Sequence, residues 1–178
     1  MMYRCLISNR GEIAVRIIRG CRELNIETVA IYAKGDENSL HASLADQAIC
    51  IGEANPLDSY LNIDRIISAA KVTESNAIHP GYGFLSESTN FAKAVEDNHI
   101  HFIGPSKTTM EMMGDKITVR QTVKQAGVPV IPGSNDAVQS VDEIKLLAKE
   151  IGFPVVLKAA SGGGGKGIRI VKEASQLD

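Results

Sequence analysis

Short β-forming runs alternate with amphipathic helical segments through about the first 105 residues, and this alternation limits the possible folds more than any other feature. Arg4 to Ser8 (RCLIS) reads as a buried strand, and Glu12 to Leu24 as a helix in which Ala14, Ile17, Ile18 and Cys21 recur at i, i+3, i+4 and i+7. Thr28 to Tyr32 is a second strand, and a short helix leads into a third, Gln47 to Ile51. A helix carrying Ile63, Ile66, Ile67 and Ala70 on one side follows, then a strand at Asn76 to His79, a helix at Ser88 to Asp97 and a strand at His101 to Gly104. Strands separated by helices predict a parallel sheet covered on both faces, because a parallel neighbour is reached only by a crossover.

Beyond Pro105 the pattern changes. Thr108 to Met113 and Lys116 to Ala126 read as helices broken at Gly114, Val128 to Gly133 as an extended connector, and Val141 to Ile151 as a helix stopped by Gly152. Pro154 to Lys158 and Gly167 to Val171 are two strands flanking a glycine run, and the last residues read as the start of another helix. This second half offers a few short helical segments and one hairpin, too little to enclose a core, so the chain reads as cut inside its second domain.

A net charge of −2 in 178 residues argues against a nucleic-acid groove built on bulk positive charge, and basic residues that matter must act locally. No apolar run reaches membrane-spanning length, and the opening MMYRCLISNR lacks a secretory pattern, so a cytoplasmic protein with no membrane partner is expected. Cys5, Cys21 and Cys50 lie in apolar-patterned segments without metal-ligand spacing and read as buried, reduced thiols.

The segment SGGGGKG, Ser161 to Gly167, needs a reason, since each glycine in a regular element costs roughly 0.5–1 kcal/mol relative to alanine. It fits a flexible hairpin tip. It also fits a loop whose bare N–H groups close on phosphate oxygens, with Lys166 adding charge. It is not a Walker A loop, because Ala160 and Gly167 stand where Gly and Ser or Thr are needed and a strand follows instead of a helix. The turn after the first strand, Ser8 to Ala14, holds one glycine where a dinucleotide fingerprint needs three, which argues against NAD. Lys158, ending a Val-rich strand, either reaches into water along its stem or joins Lys116 and the glycine loop around a triphosphate.

Several stretches, in order, resemble the N-terminal part of the biotin carboxylases, the ATP-grasp components of acetyl-CoA, pyruvate and propionyl-CoA carboxylases. They are SNRGEIAVRIIRGCREL (8 to 24), SYLNIDRIISAA (59 to 70), AIHPGYGFLSE (77 to 87), FIGPS (102 to 106), MGDK (113 to 116), AGVPVIPGS (126 to 134) and GFPVVLKAASGGGGKGIRIV (152 to 171). The resemblance implies a Rossmann-like pre-ATP-grasp domain over residues 1–113, with a parallel sheet. An incomplete ATP-grasp domain with a glycine-rich lid hairpin would follow over 114–178. It implies ATP- and bicarbonate-dependent carboxylation of biotin, with Mg2+ or Mn2+, a biotin carboxyl carrier protein, a carboxyltransferase in the parent complex, and a homodimer.

By position, Lys116 and Lys158 would face the nucleotide phosphates. Gly164 and Gly165 would donate amides, and Gly162, Gly163, Lys166 and Gly167 would complete the lid. Arginine is also common in the family at the place of Lys166. His79, Tyr82 and Gly83 would border the biotin and bicarbonate side, although a turn shaped by glycines, a packed tyrosine and a structural histidine give the same pattern. Arg19 and Glu23 match dimer-interface positions and equally fit a solvated helix face.

The family's metal-binding acids, its general base and its biotin-facing arginine lie further along the chain than this sequence reaches. The fragment alone is therefore expected to be inactive, with no catalytic residue and no metal ligand of its own. Two other readings stay open: a standalone nucleotide-binding or assembly module completed by another chain, and a different ATP-grasp ligase, against which HPGYGFLSE argues.

Overall fold

The computed structural model describes residues 3–114, 116–134, 136–158 and 167–177, and of 116–118 only the backbone. The chain forms two compact units, Met1–Glu111 and Met112–Asp178.

In the first unit, strands β1 (Arg4–Ile7), β2 (Glu27–Ala33), β3 (Gln47–Gly52), β4 (Ala77–His79) and β5 (His101–Phe102) make one parallel sheet in the order β3-β2-β1-β4-β5. The connecting helices are α1 (Gly11–Glu23), the short α2 (Leu40–Leu44), α3 (Ile63–Val72) and α4 (Thr89–Asp97), and α5 (Lys107–Gly114) follows β5. Alternation along β1 separates two cores. Leu6 joins Ile31, Tyr60, Ile66, Ile78, Phe91 and Phe102 on one face. Cys5 and Ile7 join Ala14, Ile17, Ile18 and Cys21 on the other. The α/β class and two-faced packing expected from the alternation are therefore present.

Helix boundaries follow from capping. The Asn62 side chain accepts from Arg65 N at 3.1 Å, and Ser88 Oγ from Phe91 N at 3.2 Å. At the other end, α1, α3 and α4 all close with the same paired backbone bonds. Ile26 N donates to Cys21 O, Ser75 N to Ala70 O and Ile100 N to Val95 O, with Asn25, Glu74 and His99 at positive φ. Glycine usually fills that position, so its absence here hides the stop signal from a sequence reading.

One expectation needs correction. Cys5 and Cys21 are buried, but Cys50 is exposed. Its strand, β3, is one of the two edge strands of the sheet, and periodicity alone does not say which strand will be at an edge.

The second unit holds α6 (Lys116–Gln125), α7 (Val141–Ile151) and an antiparallel ribbon of β6 (Val155–Lys158) and β7 (Ile168–Val171). Ser140 Oγ caps α7 by accepting from Glu143 N at 3.2 Å, and Glu143 Oε2 accepts from Gln139 N at 3.0 Å. Ala148, Val171 and Leu177 form a small core with Ile144, Phe153, Val155 and Leu157 around it. The expected final helix is instead a 3-10 turn, Ala174–Leu177, tied back by Arg169 Nη2 donating to Gln176 O at 2.9 Å.

Candidate functional site

The strand order reverses between β1 and β4, which pair in register with Ile7 opposite His79. Open α/β sheets bind ligands at such a switch point, outside the carboxyl ends of the strands. Here those ends carry Ser8-Asn-Arg-Gly11 and His79-Pro-Gly-Tyr-Gly83. Two motifs 71 residues apart thus meet at one end of the sheet, joined by Ser8 N donating to His79 O at 2.9 Å.

Asn9 is the main tie between the two loops. Its side chain is buried, and Nδ2 donates to Pro80 O and to Tyr82 O, both at 2.8 Å, while Oδ1 accepts from Arg10 N at 2.9 Å. Gly81 has φ +67, and a Cβ there would stand 2.9 Å from Asn9 Nδ2, so glycine permits the close approach that these bonds require. Tyr82 is exposed, and its hydroxyl donates to Glu12 in the first turn of α1, which raises its pKa. Gly83, also exposed, has φ +66.

Behind the loop, the fully buried Tyr60 accepts from Ala33 N at 3.0 Å and donates to Asp36 Oδ2 at 2.6 Å. Burial and the nearby carboxylate push the phenol pKa up, and the same hydrogen bond, with help from Arg10, holds Asp36 low. Tyr60 and Phe84 stack with centroids 5.3 Å apart. None of Asn9, Arg10, Asp36, Tyr60 and Phe84 was singled out as a site residue in the sequence reading.

His79 is half-buried, and its Nδ1 accepts from Gly81 N at 3.0 Å, so the neutral ring carries its proton on Nε2. Burial lowers its pKa, as it does for His41, whose ring nitrogens lie 2.8 Å from Ser39 Oγ and 3.1 Å from Ile31 O. The unfolded chain takes up these protons near the ordinary value of 6.5 and the folded chain resists them, so their contribution is complete above that pH and is lost as pH falls below it. Urea midpoints are expected to stay level from pH 8 to 7 and to fall between 6.5 and 5, with a shallower fall in His79→Gln. A midpoint indifferent to pH over that interval would contradict the assignment.

In the second unit the candidate surface is one face of the ribbon. Val156 lies opposite Ile170 and Lys158 opposite Ile168, so all four side chains point the same way, and all four are exposed. The opposite face, with Val155 and Leu157, packs on α7's core cluster. The exposed face thus sets a lysine among three apolar side chains. Pairwise alternation across the two strands could have identified Val156, Ile168 and Ile170, but the sequence reading named only Lys158.

Among the other expected site residues, Lys116 is the first residue of α6, and Gly167, at φ +75, precedes β7. Gly162, Gly163, Gly164, Gly165 and Lys166 lie outside the described residues. Arg19 and Glu23 are exposed on α1. Among the described residues there is no group of three or more His, Cys, Asp or Glu side chains that could hold a metal ion.

A five-stranded parallel sheet whose order reverses between β1 and β4, followed in the chain by a lysine-bearing β-ribbon, defines a protein of the doubly wound α/β class. Residues 1–110 match the profile "Biotin carboxylase, N-terminal domain", and residues 115–178 match "Carbamoyl-phosphate synthase L chain, ATP binding domain". The chain belongs to the biotin carboxylase family.

Among its relatives, biotin carboxylase 1 of Bacillus subtilis is 53% identical over 99% of this chain. A crystal structure of a biotin carboxylase–beta-gamma-ATP complex from Campylobacter jejuni matches with TM-score 0.89 and 48% identity, over 99% of this chain and 40% of that one. The biotin carboxylase domain dimer of Hydrogenobacter thermophilus 2-oxoglutarate carboxylase, solved with MgADP, ADP and bicarbonate, matches with TM-score 0.85 and 50% identity, over 99% of this chain and 39% of that one. The chain spans 39% of the length of the Bacillus relative.

Proposed function

We propose that this chain supplies the nucleotide-phosphate and biotin-facing portion of an enzyme that carboxylates biotin with ATP and bicarbonate. The observation that carries the reading is the exposed ribbon face, where Lys158 stands beside Val156, Ile168 and Ile170. An ammonium next to an apolar strip suits a ligand that is anionic at one end and a flat ring system at the other, as a nucleoside triphosphate is. Two family members, one crystallised with beta-gamma-ATP and one with MgADP and ADP, support this.

In this reading Lys116 and Lys158 hold phosphate oxygens, and the glycine-rich segment 162–167 closes over them with Gly164 and Gly165 donating amides. A bicarbonate oxygen attacks the γ-phosphorus and ADP leaves. The resulting carboxyphosphate splits at its C–O bond into carbon dioxide and phosphate, and N1′ of biotin bonds to the carbon dioxide as its proton passes to the phosphate. Such an intermediate hydrolyses in bulk water, so a closing lid has a chemical purpose. His79, Tyr82 and Gly83 border the biotin and bicarbonate side. Mg2+ ligands would come from residues outside this sequence.

The same reading makes a biotin carboxyl carrier protein and a carboxyltransferase the partners, and places Arg19 and Glu23 in a homodimer interface. It also places the protein in the cytoplasm; no described helix is long and apolar enough to cross a membrane. Acetyl-CoA carboxylase, and so fatty acid synthesis, is one parent consistent with it, and pyruvate carboxylase is another.

The test is ADP release by the full-length protein. Hydrolysis is expected to require bicarbonate and to rise with free biotin or biotinylated carrier. ATP turnover indifferent to both would overturn the proposal.

A further inference from the structure

We infer that Arg10 is a positioning residue for the His79 to Phe84 loop, holding Tyr82 and Gly83 in the shape they present at the switch point; that this shape serves biotin rests on the function proposed above. Three of the four residues from Gly81 to Phe84 have positive φ: Gly81, Gly83 and Phe84 at +67, +66 and +40. A side-chain-bearing residue persists there only where its surroundings over-determine it, and Phe84 has no freedom of the glycine kind to fall back on.

Its surroundings meet in Arg10. The guanidinium carbon lies 5.1 Å from the Tyr60 ring centroid and 5.6 Å from that of Phe84, within cation–π range of both stacked rings. Arg10 Nη1 stands 3.3 Å from Asp36 Oδ2, the same oxygen that receives the Tyr60 hydroxyl. The Arg10 backbone N–H meanwhile donates to Asn9 Oδ1, and so orients the amide that grips Pro80 O and Tyr82 O. Arg10 therefore acts on both ends of the loop, through its side chain at Phe84 and through its main chain at Pro80 and Tyr82.

A surface ion pair with Asp36 would use the charge of Arg10 alone, whereas the geometry uses its planar group as well. Arg10→Lys separates the two, since lysine keeps the charge and loses the flat face.

Amide hydrogen exchange of the 178-residue chain reads the loop without any ligand. Exchange at the hydrogen-bonded loop amides of Gly81 and Ser86, which donate to His79 Nδ1 and Gly83 O, is expected to quicken by about tenfold in Arg10→Ala and by about fivefold in Arg10→Lys, Phe84→Leu repeating the effect, while the β1 and β4 amides stay protected. In the full-length enzyme, Arg10→Lys is expected to raise the KM for biotin by about fivefold and to leave the KM for ATP within about twofold.

Loop exchange in Arg10→Lys equal to the parent's would overturn the inference, as would quickening spread evenly over the first unit. A wild-type enzyme without biotin dependence would sink the proposed function and leave the loop measurement standing. Normal biotin kinetics beside a quickened loop would overturn the link to the substrate.

Discussion

Lys158→Ala in the full-length protein is expected to raise the KM for ATP by about ten- to a hundredfold. A hydrogen bond to a charged partner is worth about 1.5–3 kcal/mol, and each 1.4 kcal/mol is about tenfold in affinity. Lys158 is exposed at the end of β6, so its loss should leave the unfolding midpoint where it was. Its stem shares the ribbon face with Val156 and Ile168, which raises a second possibility, that packing rather than charge is what matters. Lys158→Met decides between them: a methionine that behaves like alanine assigns the effect to the ammonium, and one that behaves like lysine assigns it to the stem. ATP kinetics unchanged in both variants would remove Lys158 from the phosphate site.

Gly52→Ala is expected to cost roughly 2–5 kcal/mol of stability, enough to unfold much of the first unit at moderate urea. Gly52 ends β3 at φ +147, and a Cβ built there would stand 2.1 Å from Asp58 O and 2.3 Å from Arg65 Nη1. The arginine can swing aside, although it then loses its bond to Ile51 O at 3.1 Å. The carbonyl cannot, because it belongs to the turn Pro56–Asp58 that leads into buried Tyr60. Equilibrium urea unfolding checks the effect, and a shift below about 1 kcal/mol would show that the turn moves freely.

Much of this architecture can be read from the chain because its elements follow local rules. The apolar residues of α1 recur with helical period, and those of α3 and α4 likewise, so the layered α/β plan follows without knowledge of strand order. Strand order itself has no local signature, which is why Cys50 was expected inside and why two loops 71 residues apart could not be placed together.

Tyr60 is a related case. It lies between Asn55 and Asn62 in a stretch without periodicity, and its partners Ala33 and Asp36 are 27 and 24 residues away. Long-range hydrogen bonds that bury a polar ring leave no pattern near the ring. The ribbon face was readable in principle, since pairing Val156 with Ile170 and Lys158 with Ile168 requires only that the two strands form a hairpin of fixed register.

The groups that fix the switch-point loop all occur early: Asn9, Arg10, Asp36, Tyr60 and Phe84 precede residue 85. During synthesis the ribosome therefore releases every one of them before the lysine-bearing ribbon has been translated. The two loops of the switch point can thus take their final form on a nascent chain that has not yet acquired its β-ribbon.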